Sequence, residues 1–287
     1  MSASLDDFSL LVDLKGPSDL TCRPAYHSPL DATDSKLAEV LAPYDFDEPY
    51  PCGLASCRQP HQHGFLVVTA DKVETNVGKD CGRRIFGKDF AIKANLQVAR
   101  ASRKRKLDTL QGVLERKDEL LSRISEHYDH KTGTRWANTK LRELRERSLF
   151  LCASKKLYAM ATRGETAVVD VREATKEEKA QHRAFNPSAK PLEYMEETVG
   201  HLQGLKFLVA NPHDAATTLK DKLYELTGID VKTLAARKLQ DWVEWANGIE
   251  REFDDIEDTL ANAVRFFADD NVRLLYALAE IEDRKTR

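Results

Sequence analysis

Fifteen residues, PCGLASCRQPHQHGF at 51–65, hold Cys52, Cys57, His61 and His63, and Cys81 follows in NVGKDCGRRIFG. Three thiols and two imidazoles so close together constrain the local fold more than any other feature of the chain. Zinc takes four thiolate or imidazole donors in a tetrahedron, and a short loop places two of them at once. The pattern predicts a zinc site. Cys52 and Cys57 form a slightly wide knuckle around Gly53, Cys81 stands at the mouth of a helix, and His61 or His63 completes the set. At a helix N-terminus the dipole favours a thiolate over a thiol. The plain alternative is that the thiols are small core residues, since cysteine is among the most buried residue types. The clustering of all five residues around one hairpin argues against it.

That hairpin is read from two short strand-like runs. Phe65 to Thr69 and Val73 to Val77 pattern as two short strands joined around Ala70, Asp71 and Lys72,. Gly78 ends the second. Asp80 can cap a helix, but Gly82 and Gly87 weaken its first turns, so firm helix is expected from near Asp89. A knuckle, a hairpin and a helix carrying a ligand in its first turn resemble the treble-clef and zinc-ribbon fingers, over about residues 50–90. Those families place two residues inside the knuckle and two ligands at the helix. This chain has four inside the knuckle and one helix ligand, Cys81, followed by GRRIFG. The resemblance implies a Cys3His zinc site. A structural ion is expected, because thiolate-rich coordination lowers Lewis acidity and catalytic sites keep an open position beside an acid or base. HExxH is missing, and the zinc deaminase signature lacks its glutamate and its cysteine spacing. Phosphate-loop, dinucleotide and GxSxG patterns are also missing.

The rest of the chain reads as mainly α, a bundle of long helical hairpins with coiled-coil-like seams beside a small zinc-stabilised β-hairpin module. Residues 1–50 form an acidic, proline-rich arm in which FSLLVDLKG suggests a strand and DSKLAEVLAP one or two helical turns. The hairpin module spans 51–88. A helical hairpin with a basic start spans 89–163. Leu107, Leu110, Leu114, Leu121, Ile124 and Tyr128 make one seam, Gly133 the turn, and Leu141, Leu144, Leu151 and Tyr158 a second. A strand near Thr166 to Val171 and a linker fill 164–189. A helical domain occupies 190–287, with Met195, Val199, Leu202, Leu205 and Leu208 as its first stripe and a break at 268–271. Trp242 and Trp245, three apart, read as a buried seam. His127 and His130 suit a helix end near Gly133.

Charge is polarised. The 287 residues carry a net charge of −3, yet residues 79–106 hold ten bases against two acids, and residues 1–50 hold ten acids against three bases. Residues 240–287 are acidic as well, with thirteen acids and six bases. The candidate contact residues are Arg83, Arg84, Lys88, Lys93, Arg100, Arg103, Lys104, Arg105 and Lys106. Such a patch attracts phosphate backbones without sequence specificity. It can equally be neutralised by the acidic arm or the acidic C-terminal helix. The chain therefore reads as a non-enzymatic, zinc-stabilised interaction protein, with nucleic acid as the first expected partner and another protein or a further copy as the second. A metal-dependent hydrolase and an oligomeric coiled-coil scaffold are the competing classes. No apolar run is long enough for a membrane span, and MSASLDDFSLLVDLKG has no basic region of the signal-peptide kind. Five cysteines, an odd number, do not read as a disulfide framework and point to a reducing cytoplasm. Cys22 and Cys152 read as ordinary buried or half-buried thiols.

Overall fold

The computed structural model describes residues 5–9, 11–146, 148–188 and 190–286. In chain order the elements are α1 (Pro17–Thr21), β1 (Leu37–Pro51), β2 (Pro60–Thr69), β3 (Glu74–Val77), α2 (Lys79–Glu115), α3 (Lys117–Asp129), α4 (Thr134–Glu146) and α5 (Ser148–Arg163). They continue with β4 (Ala167–Glu173), α6 (Lys176–Phe185), β5 (Tyr194–His201), α7 (Pro212–Thr227), α8 (Ala236–Phe266) and α9 (Asp269–Thr286). The protein is mainly helical, with a small antiparallel sheet near its N-terminus. Among the described residues no helix is long and apolar enough to cross a membrane. The chain divides into two compact units, residues 1–113 with 230–246, and residues 114–229 with 247–287.

In the first unit, β1, β2 and β3 form an antiparallel meander in that order. The expected hairpin is present: Phe65 pairs with Val77 and Val68 with Glu74, around a turn in which Lys72 adopts φ 63°. The arm departs from expectation. Leu37–Pro51 is one long strand where helical turns were expected, because Val40, Ala42, Tyr44 and Phe46 alternate with less buried neighbours at the period of a strand,. Its prolines are tolerated because β1 is an edge strand, bonded to β2 alone,. The FSLLVDLKG segment forms no strand among its described residues, although Leu14 is buried. Both faces of β2 are covered. Val67 joins Val40, Cys52, Leu54, Val77, Phe90 and Ala94, and Leu66 joins Leu14, Leu20, Ala42, Tyr44 and Phe46.

Helix α2 is seated on the sheet by two aromatic rings. Phe90 meets Phe65 edge to face at 5.4 Å between centroids, and its ring lies directly on Gly82, where a Cβ would stand 2.3 Å from Cζ. Gly87, at φ 65° and ψ −145°, kinks the helix between these contacts. Helix thus begins at Lys79, earlier than the onset expected near Asp89, and Gly87 marks a kink within it. The first seam is not one continuous helix: α2 and α3 are interrupted at Arg116 (φ −88°, ψ 4°). Trp242 and Trp245 meet edge to face at 5.3 Å, with Trp245 buried.

In the second unit the chain turns at 130–133 between α3 and α4, as the glycine predicts. A Cβ on Gly133 would meet the His127 carbonyl oxygen at 2.2 Å. The core gathers Leu141, Leu144, Leu157 and Met160 with Phe207, Phe266, Leu275, Leu278 and Ile281, and Trp136 packs on Phe267 at its margin. Leu151 is exposed, so the second seam is broken there. β4 confirms the predicted strand. Its partner is β5, where a helical stripe was expected: Met195 and Val199 lie in an antiparallel strand that pairs Val169 with Thr198 and Val171 with Glu196. Leu205 to Leu208 follow as one 3-10 turn. Asn211 caps α7 by accepting from the His213 N–H at 3.0 Å, and Gly228 ends it. The last long segment breaks between Phe266 and Asp269.

The glycine contacts separate two substitutions within one helix. Gly82→Ala must displace the Phe90 ring and is expected to lower stability by about 1–3 kcal/mol. Gly112→Ala meets nothing within 4 Å and should raise it by about 0.5–1 kcal/mol. Urea denaturation of both variants measures the contrast.

Candidate metal centre

Cys52 leaves the end of β1, and its N–H donates to the Gln59 carbonyl at 3.1 Å. Gly53 then crosses β3, its N–H donating to the Asn76 carbonyl and its carbonyl accepting from the Leu30 N–H, at 2.7 Å each. Only glycine passes there, because a Cβ would stand 2.2 Å from Thr75 Oγ1 and 2.8 Å from the Asn76 carbonyl oxygen. The chain reverses as the N–H groups of Cys57 and Arg58 both donate to the Leu54 carbonyl, with Arg58 at φ 59°. Cys81 arrives from the first turn of α2, fixed by the seating of that helix on β2.

The sulfurs of Cys52, Cys57 and Cys81 all lie within 4.8 Å of one another, and Cys57 Sγ and Cys81 Sγ are 3.2 Å apart. Tetrahedral zinc with bonds of about 2.3 Å requires sulfurs about 3.8 Å apart. The cluster brackets that spacing, so the donor set fits a zinc-sized ion. Cys52 is buried, whereas Cys57 and Cys81 are half-buried, leaving the cluster open on one side.

The thiols differ in acidity. Burial pushes the Cys81 thiol up to about 12, and its contact with Cys57 adds to the shift. The Gln59 backbone and then the Cys81 thiol hold Cys57 below its ordinary value. Burial thus opposes ionisation of Cys81, and a bound cation would favour the thiolates.

The imidazoles lie outside this cluster. His61 Nδ1 donates to the Gln59 carbonyl at 3.2 Å, which leaves Nε2 to accept from Tyr44 Oη at 2.6 Å. Tyr44 Oη in turn accepts from Asn76 Nδ2 at 3.0 Å, and Asn76 Oδ1 accepts from Tyr26 Oη at 2.7 Å. The His61 ring stands over Gly78, three residues before Cys81: a Cβ on Gly78 would lie 3.6 Å from its Cγ. His63 is on the exposed rim, with Nδ1 2.7 Å from Asp45 Oδ1. Sequence reasoning missed Tyr44, Asn76 and Tyr26. None of the three stood out in the sequence, since Asn76 sits between Thr75 and Val77 on the face of β3 that also carries Glu74,.

The basic residues fall into two groups. Lys93, Arg100 and Arg103 are engaged within the first unit. Lys93 donates to the Ala38 carbonyl and lies 3.8 Å from Glu39. Arg100 is only 5% exposed and lies 4.0 Å from Asp7. Arg103 pairs with Asp6 and donates to the carbonyls of Leu234 and Lys232 at 3.1 and 2.6 Å. Asp7 is held below the usual carboxylate range, chiefly by hydrogen bonds from Ser9. Arg83, Arg84 and Lys88 are exposed beside the thiols, with Arg84 Nη2 3.8 Å from Cys81 Sγ. Lys104 and Arg105 are exposed further along, Lys104 bonded to Asp108 at 2.7 Å, and Lys106 is half-buried.

The acidity order predicts labelling. In metal-free protein carrying Cys22→Ser, iodoacetamide at pH 7.5 should modify Cys57 first. Cys81 should lag by more than tenfold and catch up only in strongly alkaline solution, because the thiolate is the reactive form. Peptide mass spectrometry over a pH series reads the order, and equal rates at Cys57 and Cys81 would contradict it. No protein-family model, curated protein or solved structure matches the chain, so the reading of this centre rests on its own geometry.

Proposed function

We propose that the first unit is a zinc-stabilised interaction module with no catalytic role, which presents the start of α2 to the phosphate backbone of nucleic acid. The observation that carries this reading is the convergence of Cys52, Cys57 and Cys81, from a knuckle and a helix mouth, to zinc-compatible spacing. His61 is the fourth ligand in this proposal, and it would bind by releasing its Nε2 from Tyr44 Oη. It is built into the module through Gln59 and Gly78, whereas His63 lies on the exposed rim. A structural ion suits a cluster whose donors are mostly thiolates. Arg83, Arg84 and Lys88 are the contact residues best supported, since Lys93, Arg100 and Arg103 are engaged inside the unit. Free thiols at Cys22, Cys52, Cys57 and Cys81 suit a reducing cytoplasm.

Elemental analysis of untagged protein should find one zinc per chain. Cys52→Ser and Cys81→Ser should lose it and melt lower, His61→Ala should bind it at least tenfold more weakly, and His63→Ala should bind it normally. Zinc lost without loss of stability would favour a catalytic ion instead.

Binding to a DNA or RNA duplex, followed by fluorescence anisotropy across a salt series, tests the partner. Replacing Arg83, Arg84 and Lys88 together by Gln should weaken binding and flatten the salt slope by about 0.9 for each phosphate contact removed. An unchanged slope would remove nucleic acid from the reading.

A further inference from the structure

In the second unit, α3, α4 and α7 border a cavity of about 440 Å³ whose polar lining includes Tyr128, Arg135, His213, Thr217 and Lys220 and no carboxylate. Lys220 is half-buried. Its Nζ lies 6.0 Å from the centroid of the Tyr128 ring, and no ion pair joins it to a carboxylate among the described residues. An ammonium partly removed from water without a counter-charge is unfavourable unless an anion joins it. The Arg135 guanidinium stands 5.6 Å from the same ring centroid. One of its five donors is directed to Asp129 Oδ1 at 2.7 Å, and the side chain is largely exposed, which leaves the other donors for a second acceptor.

The wall beside these cations is set in place. Tyr128 Oη and Thr217 Oγ1 are 2.8 Å apart, and Thr217 donates to the His213 carbonyl at 2.8 Å. His213 packs edge-on against Tyr128 at 5.3 Å, with Nδ1 3.5 Å from Thr134 Oγ1. Thr134 and His213 belong to the first turns of α4 and α7, so the positive ends of two helix dipoles add to the charge of Arg135 and Lys220. Asp129 offsets one of the two cations and the site keeps a net positive charge.

We infer that this cavity binds a small phosphate-bearing anion, with Lys220 and Arg135 as its charge partners. A phosphate dianion matches two cations that line one cavity,. The inference concerns the second unit alone and stands apart from the reading of the metal centre.

The test is calorimetric titration of the whole chain, at fixed ionic strength in chloride, with inorganic phosphate and separately with adenosine 5′-monophosphate. Saturable binding of one ligand per chain is expected. Lys220→Gln and Arg135→Gln should each weaken it about tenfold, the effect of one lost charge-assisted contact. Lys220→Arg should retain it, and Arg142→Gln, an exposed cation outside the cavity, should leave it unchanged. Tighter binding of the nucleotide assigns the site to phosphate esters, and equal binding assigns it to the free phosphate group. Absence of saturable binding of both ligands overturns the inference, as does undiminished binding in both Gln variants while thermal melts show them folded.

Discussion

The seating of the Phe90 ring on the bare backbone of Gly82 is the contact on which the chemistry of the first unit depends. Burying a phenylalanine side chain contributes roughly 2 kcal/mol, and here that burial also fixes where a helix begins. Cys81 lies one residue before Gly82 and reaches the knuckle because α2 lies flush against β2. A helix held off by a single methyl group would carry Cys81 away from Cys57. The positive φ at Gly87 lets the chain return Phe90 onto the turn it has just left.

Around this contact the module is held by polar groups placed where water does not reach. Asn76 is fully buried and divides its amide among Tyr44, Tyr26 and the Pro51 carbonyl. It thereby links the last residue of β1 before the knuckle to the hydroxyl that holds His61. Buried amides of this kind specify one arrangement because any other leaves a donor unsatisfied. The acidic beginning of the chain acts in the same unit by charge. Asp6 and Asp7 meet Arg103 and Arg100, so the polarisation visible in composition is partly resolved within the fold.

The legible parts of the fold were those in which local pattern and final environment agree. Phe65 to Thr69 and Val73 to Val77, β-rich runs around a polar turn, became a hairpin; Gly133 and Gly228 marked real helix boundaries. The failures were segments where propensity and pairing disagree. Leu37 to Ala42 is built of good helix formers, yet pairing with β2 and burial on alternate sides made it a strand,. Met195 and Val199 are spaced like a helix face, and cross-strand pairing with β4 prevailed. At the metal centre the thiols were legible because their own loop and helix start bring them together. The placement of the imidazoles was not, since it is decided by Tyr44 and Asn76, which lie 17 residues before and 15 residues after His61 in the chain. The engagement of Arg100 and Arg103 was legible only as one of two alternatives, because charge counts do not say which acids can reach.

The tryptophans add a practical consequence. Trp242 and Trp245 belong to the first unit and Trp136 to the second, and these are all the tryptophans the chain contains. The two units therefore carry separate optical reporters. In a Trp136→Phe protein, indole emission follows the unit that holds the thiols. With both Trp242 and Trp245 replaced by Phe, it follows the unit that holds the cavity lined by Arg135 and Lys220. Cooperative or independent melting of the two halves becomes a matter of comparing two fluorescence curves.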